Sequence, residues 1–291
     1  MKITSIKTTC ITIPLNTVFK TALRSVDTLE NVLVTVATDG DPVGYGSAAP
    51  TAVITGETSA SIVHAIEHIG KSISGMNIAD SEQIFQRLNH CIIGNSSAKA
   101  AVDMAIYDLL AQSLQIPLYQ LLGGIAHEVE TDITISLDDI ETMVADSRKR
   151  VSEGFNILKI KVGNDPHLDI KRLEQIHRAV GNQVTIRIDA NQGWSAKQAV
   201  HVAAELVRQS IPIELMEQPV TARGWAELAF VRAHAPMPVY ADESVFTPRD
   251  AIELIKIDGI DGINIKLMKC GGIYNAKKIA AIADAASIPC M

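Results

Sequence analysis

The sequence predicts an α+β capping domain (a three-stranded meander plus helices, residues 1–124) followed by a (β/α) TIM-type barrel (residues 125–291) that stops before closure. Three observations predict it. Strand-like and helix-like stretches are segregated in the first part and alternate strictly in the second. Charged residues recur through the alternating part at separations of 28, 28, 25 and 24 residues, the length of one strand, one helix and two short loops. Six complete βα units precede Ile288-Pro289-Cys290-Met291, which reads as the opening of a seventh strand where a full barrel has eight. Such a rim would leave strand edges unpaired, so an incomplete chain is expected.

The elements follow in order. MKITSIKTTCITIPL alternates as a strand, TVFKTALRSVDT reads as an exposed Thr-rich loop, and NVLVTVAT, a DGD turn and PVGYGSAAP complete the meander. Helices are expected over 57–74, over 80–91 with a capping pattern in Asp80-Ser81-Glu82-Gln83, and over 96–114, followed by the short PLYQLLGG turn. TDITISL, FNILKIKV, QVTIRID, IPIELME, PVYADE and DGINIKLM then read as strands. Helices separate them over 138–152, 166–180, 195–209, 221–234 and 248–255, and a last one covers 273–286.

Composition narrows the function. A hydrophobic content of 47% with 20% charged residues describes a globular chain with a sizeable core. The net charge of -7, with both signs interspersed, argues against nucleic acid as a partner. No run of 18 apolar residues and no signal-peptide core occurs, so a cytoplasmic location without membrane contact is expected. Cys10, Cys91, Cys270 and Cys290 are scattered, which favours reduced thiols over disulfides or a zinc site.

The evenly spaced charges are Lys161 (NILKIKVG), Asp189 (IRIDANQGW), Glu217 (ELMEQP), Asp242 (YADES) and Lys266 (NIKLMKCGG). Each would end its own parallel strand, at the edge where α/β enzymes keep their chemistry. Strand parity supports this. Leu158, Ile160 and Val162 oppose Lys159 and Lys161, Ile186 and Ile188 oppose Arg187 and Asp189, and Ile263 and Ile265 oppose Asn264 and Lys266. Glu217 departs from the pattern by sharing parity with Ile213 and Leu215, so its strand boundary or end is irregular. Asp189, Glu217 and Asp242 offer hard oxygen ligands, which suit Mg²⁺ or Mn²⁺. The bland reading pairs each carboxylate with an inward Lys or Arg; three on successive strand ends favour a cation. A cation on a substrate carboxylate makes the α-proton acidic through an enediolate, and a lysine can act as the base if nearby positive charge, here Lys159 together with the cation, lowers its pKa. Two lysines flanking such a site can take a proton from one face and return it on the other, which is epimerisation.

KIKVG, DANQGW, ELMEQP, ADES and NIKLMKCGG resemble the enolase superfamily, within it the muconate-lactonising subgroup, and most of all the L-Ala-D/L-Glu (dipeptide) epimerases. The resemblance extends to TAVITG, SSAKAAVDMAIYDL and PLYQLLGG and so covers almost the whole chain. It implies Asp189, Glu217 and Asp242 as Mg²⁺ ligands, Lys161 and Lys266 as paired acid/base catalysts and Lys159 as an auxiliary cation. FKTALR is similar to the substrate-covering loop of these enzymes, which implies Arg24 as the contact for a glutamate side chain and Thr134 as a second substrate contact. The implied substrate is a dipeptide, and homo-oligomers are common in the family. A cycloisomerase or an o-succinylbenzoate synthase would use the same metal and lysines, and a truncated chain could be inactive. His64 and His68 lack a third ligand and read as a solvated face, and Gly271-Gly272 is weak evidence for an anion site at a helix N-terminus.

Overall fold

The computed structural model describes residues 1–125 and 128–291. Its first sheet is an antiparallel meander of β1 (Ile3–Lys20), β2 (Ser25–Thr38) and β3 (Val43–Ala48), in that order. Val32, Val34 and Val36 are fully buried on one face of β2, as the two-residue period of a strand requires. Helices α1 (Ser59–Ile73), α2 (Ser81–His90) and α3 (Ser96–Leu114) cover that face. The approach of α3 to β3 depends on glycine: a Cβ on Gly46 would lie 1.9 Å from the Ala101 carbonyl oxygen, and one on Gly44 2.1 Å from that of Ala105.

Two local expectations need correction. TVFKTALRSVDT is mostly ladder: Phe19 pairs with Val26 and Lys20 with Ser25, leaving only residues 21–24 as the turn. The far half of this ribbon is solvated on both faces, so the alternation that announces a strand is lost while pairing persists. Asp80 makes no side-chain cap; a 3-10 turn (Ile78–Asp80) leads into α2, and its capping bond comes from Asn77, which accepts from Ala79 N.

After a four-residue helix α4 (Leu118–Leu121), the chain winds a parallel sheet whose strands lie in sequence order: β4 (Ile133–Ile135), β5 (Ile157–Lys161), β6 (Thr185–Asp189), β7 (Leu215–Glu217), β8 (Val239–Ala241) and β9 (Gly262–Ile263). The intervening helices are α5 (Ile140–Ser152), α6 (Pro166–Val180), α7 (Ala196–Arg208), α8 (Trp225–His234) and α9 (Pro248–Lys256), and short α10 (Leu267–Cys270) and α11 (Ile273–Ala285) follow β9. Capping residues set several starts, as at α6, where the Asp165 side chain accepts from His167 N and Leu168 N beside Pro166. A parallel bridge joins Ile263 to Cys290. This is the capping sheet followed by a TIM-like β/α array that the sequence predicts.

The apolar faces of β5 and β6 (Leu158, Ile160, Ile186, Ile188) pack outward against the helices in one core, and the meander with α1–α3 forms a second. The two units meet at Asp103 on α3, whose carboxylate accepts from Ile273 N at 2.6 Å and Tyr274 N at 3.3 Å. It thus caps α11 from the other unit, so the helix N-terminus at Gly271-Gly272, weak evidence for an anion site in the sequence, is occupied by the protein's own side chain. Gly272 is required there, since a Cβ would lie 2.3 Å from the Asp103 carboxyl carbon. No described helix is long and apolar enough to cross a membrane.

Candidate active site

Parallel register aligns the inward side chains in rows, because paired residues point to the same face. One row is Thr134, Lys159, Arg187 and Leu215; the next, nearer the carboxyl ends, is Lys161, Asp189, Glu217 and Tyr240. The parity problem at Glu217 dissolves here. β7 is three residues long, Ile213 lies outside it, and Met216 rather than Leu215 packs into the helix-side core. Leu215 is simply an apolar inward residue, opposite Arg187. Asp242 follows β8 directly, and Lys266 lies beyond the two-residue β9 as the N-cap residue of α10.

Asp189, Glu217 and Asp242 are fully buried, and one oxygen from each lies within 4.8 Å of the others. Three ionisable oxygens with neither His nor Cys fit a hard divalent cation. Lysines surround them. Lys159 Nζ lies 2.6 Å from Glu217 Oε2 and 3.1 Å from Asp189 Oδ2, and Lys161 Nζ lies 2.6 Å from Asp189 Oδ2. Lys266 donates to Asp242 Oδ2, and Lys269 Nζ lies 2.7 Å from Asp242 Oδ1. With buried Glu243 the centre holds four carboxylates against four ammonium groups.

Burial and neighbouring charge pull these groups in opposite directions. Burial opposes ionisation of Asp189, but Lys159 and Lys161 outweigh it and hold the carboxyl below its usual range. At Asp242 burial is likewise overcome by Lys269 and Lys266. Glu217 is pushed up to about 7 by burial and then by the Asp189 charge. Burial disfavours the charged forms of Lys159 and Lys266, yet the carboxylates raise both above the ordinary lysine value. The groups that raise Lys266 are two of the three that would ligate a cation.

Side chains that sequence reasoning did not single out hold this arrangement. Gln218 accepts from Asp242 N at 2.8 Å and Ser244 N at 3.1 Å, tying the end of β7 to that of β8. Asn264 donates to Glu217 Oε1 at 2.8 Å, and Asn191 accepts from Lys161 at 2.9 Å. Buried Asp169 accepts from Gly163 N, Trp194 Nε1 and Arg172, joining the loops after β5 and β6. The signal was present for most of them, since Asn191 and Trp194, Gln218, Glu243 and Ser244, and Asn264 and Lys269 sit inside the motifs DANQGW, ELMEQP, ADES and NIKLMKCGG.

The tip of the β1–β2 hairpin reaches the same end of the sheet. Leu137 N donates to Lys20 O at 3.0 Å, Lys20 Nζ lies 2.5 Å from Asp138 Oδ2, and a Cβ on Gly163 would touch Ala22. Partly buried Arg24 and Thr134 line one cavity of about 730 Å³ between hairpin and sheet, with Phe19, Val26 and Ser136. Neither residue contacts the carboxylate cluster directly among the hydrogen bonds of the described residues. His64 and His68 bond to the backbone carbonyls of Ala60 and Cys91 on an exposed face, as expected of a solvated pair.

Comparison with known proteins agrees with this architecture. Residues 3–123 match the mandelate racemase/muconate lactonizing enzyme N-terminal domain, and residues 142–291 the enolase C-terminal domain-like family. The L-Ala-D/L-Glu epimerase of Clostridium acetobutylicum is 49% identical over 97% of this chain and 79% of its own length. The substrate-liganded L-Ala-D/L-Glu epimerase of Bacillus subtilis superposes with a TM-score of 0.99 at 47% identity, covering 100% of this chain and 82% of that one. A dipeptide epimerase of Enterococcus faecalis complexed with Mg and L-Leu-L-Tyr superposes with a TM-score of 0.97 at 42% identity, covering 100% and 82%. A chain matched along both halves by these families, with its carboxylates and lysines at the strand ends, belongs to the mandelate racemase/muconate-lactonising group of the enolase superfamily.

Proposed function

We propose that this chain is a Mg²⁺-dependent epimerase acting at the α-carbon of the C-terminal residue of a dipeptide, L-Ala-D/L-Glu first among candidates, by 1,1-proton transfer between two lysines. The observation that carries the reading is the placement of Lys161 and Lys266 at the two ends of the carboxylate triad, one against Asp189 and the other against Asp242. Asp189, Glu217 and Asp242 would hold Mg²⁺, with Mn²⁺ as a substitute of similar ligand preference. When bound, the cation would draw charge from the substrate carboxylate and so acidify the adjacent C–H. Lys161 and Lys266 then remove and return the proton from opposite faces, and Lys159 contributes fixed positive charge beside them. Arg24 would pair with the side-chain carboxylate of the substrate, a contact its planar fork suits, and Thr134 would contribute a hydrogen bond. The relatives named above support dipeptides over the cycloisomerase and synthase readings.

The test is incubation with Mg²⁺ and L-Ala-L-Glu in D₂O, following the Glu α-proton by NMR. Loss of that signal with appearance of the L-Ala-D-Glu diastereomer supports the reading. Absence of exchange with any dipeptide, Glu-containing or apolar, overturns it.

A further inference from the structure

The two lysines sit in unlike surroundings. Lys161 closes a five-residue strand, its side chain is 7% exposed, and it donates both to Asp189 and to Asn191 Oδ1. Lys266 follows a two-residue strand, its side chain is 32% exposed, and its one side-chain hydrogen bond among the described residues is to Asp242.

Asn191 is itself held at three points. Its N–H donates to Asp189 Oδ1 at 2.9 Å, and its Nδ2 donates to Glu243 Oε1 at 3.2 Å. Its φ of 43° lies in the left-handed region, which Asn tolerates better than most residues. The orientation of the amide follows from chemistry: an ammonium can only donate and a carboxylate can accept, so Oδ1 must face Lys161 and Nδ2 must face Glu243. Glu243 is buried, and its second oxygen has no hydrogen-bond partner among the described residues. No hydrogen bond in this arrangement reaches Lys266, whose charge acts on Glu243 and Asp189 through space only.

We infer that Asn191, oriented by Glu243, is a positioning residue for Lys161 alone, so that the geometry of the two proton-transfer faces is maintained by separate parts of the site. The inference rests on the two-lysine reading above. Its physical content is that a base displaced by roughly 1 Å from its productive position can lose about 100-fold in rate. Removing Asn191 frees the Lys161 ammonium to follow Asp189 only, while leaving the partner of Lys266 in place.

The decisive experiment uses single-lysine backgrounds. A Lys266→Ala chain retains only Lys161 and should exchange the α-proton of one epimer into D₂O without inverting it; a Lys161→Ala chain should do so for the other. Adding Asn191→Ala should lower the first rate relative to the second by about tenfold or more. Glu243→Gln should shift the same ratio in the same direction by less, since Gln keeps an acceptor for Asn191. General loosening of the fold would slow both backgrounds alike, and an unchanged ratio overturns the inference. A crystal structure of Asn191→Ala gives a reading independent of substrate. Displacement of the Lys161 ammonium supports the inference, and an undisturbed one refutes it. If neither background exchanges either epimer, the two-lysine reading fails, and the crystal structure still decides the positioning role.

Discussion

The buried carboxylates at the strand ends and the one at the junction of the two units are satisfied in different ways. At the strand ends, Asp189, Glu217 and Asp242 are balanced mainly by ammonium groups on long side chains. At the junction of the two units, Asp103 is satisfied by backbone N–H groups of α11, and burial pushes its carboxyl up to about 7 against their pull. A lysine can swing away to take part in chemistry or make room for a cation. A peptide N–H in a helix cannot. Similar burial therefore marks a reaction centre in one case and a fixed joint in the other.

The comparison predicts its largest effect in rate. Lys161→Ala or Lys266→Ala should lower epimerisation by about 10²–10⁴-fold, the usual worth of a positioned acid or base, with the circular dichroism spectrum unchanged. Retained epimerisation in either variant would mean that the lysines at the centre are structural, like Asp103. Next comes metal: Mg²⁺ at a hundred times its Kd should stabilise the folded chain by about 2.7 kcal/mol, read as a rise in melting temperature. Asp242→Asn should reduce that gain, and Asp103→Ala should leave it intact. At the joint, Asp103→Ala should cost about 1–3 kcal/mol in denaturant unfolding by leaving two helix N–H groups unpaired. Gly272→Ala should also destabilise, because its methyl would collide with the Asp103 carboxyl. A further effect is in pH. Folded Asp103 keeps its proton up to about pH 7, whereas the unfolded chain releases it near pH 4. The unfolded state then binds fewer protons, so Asp103 makes stability fall as pH rises through that interval. Asp103→Asn should flatten that part of the melting profile.

Much of this was legible in the sequence, for reasons that differ by element. The α6 limits could be read because Asp165-Pro166 and Gly181 are strong local stops. The inward faces of β5 and β6 followed from alternation, since a strand with one charged and one apolar face has a single stable orientation. Glu217 misled because β7 is only three residues long, too short for parity to be judged without its boundary. The β1–β2 ribbon misled because strands solvated on both faces carry no alternation. Asp103 was invisible for another reason: its partners lie 170 residues away, and α3 is buried on nearly every side, so no local contrast marks it. Asn191 and Glu243 stood inside recognisable motifs, but their roles depend on a bond between residues 52 apart.

The hairpin also has a consequence for how the molecule is made. Its stem pairs neighbours in sequence and can form early, but its tip docks through Lys20 on Asp138, 118 residues further along the chain. The surface that would select a substrate is therefore assembled after the first turns of the β/α array exist. Amides at residues 21–25 should gain protection later than those of β2 and β3 during refolding, and a chain caught between those moments would have half of a binding cleft.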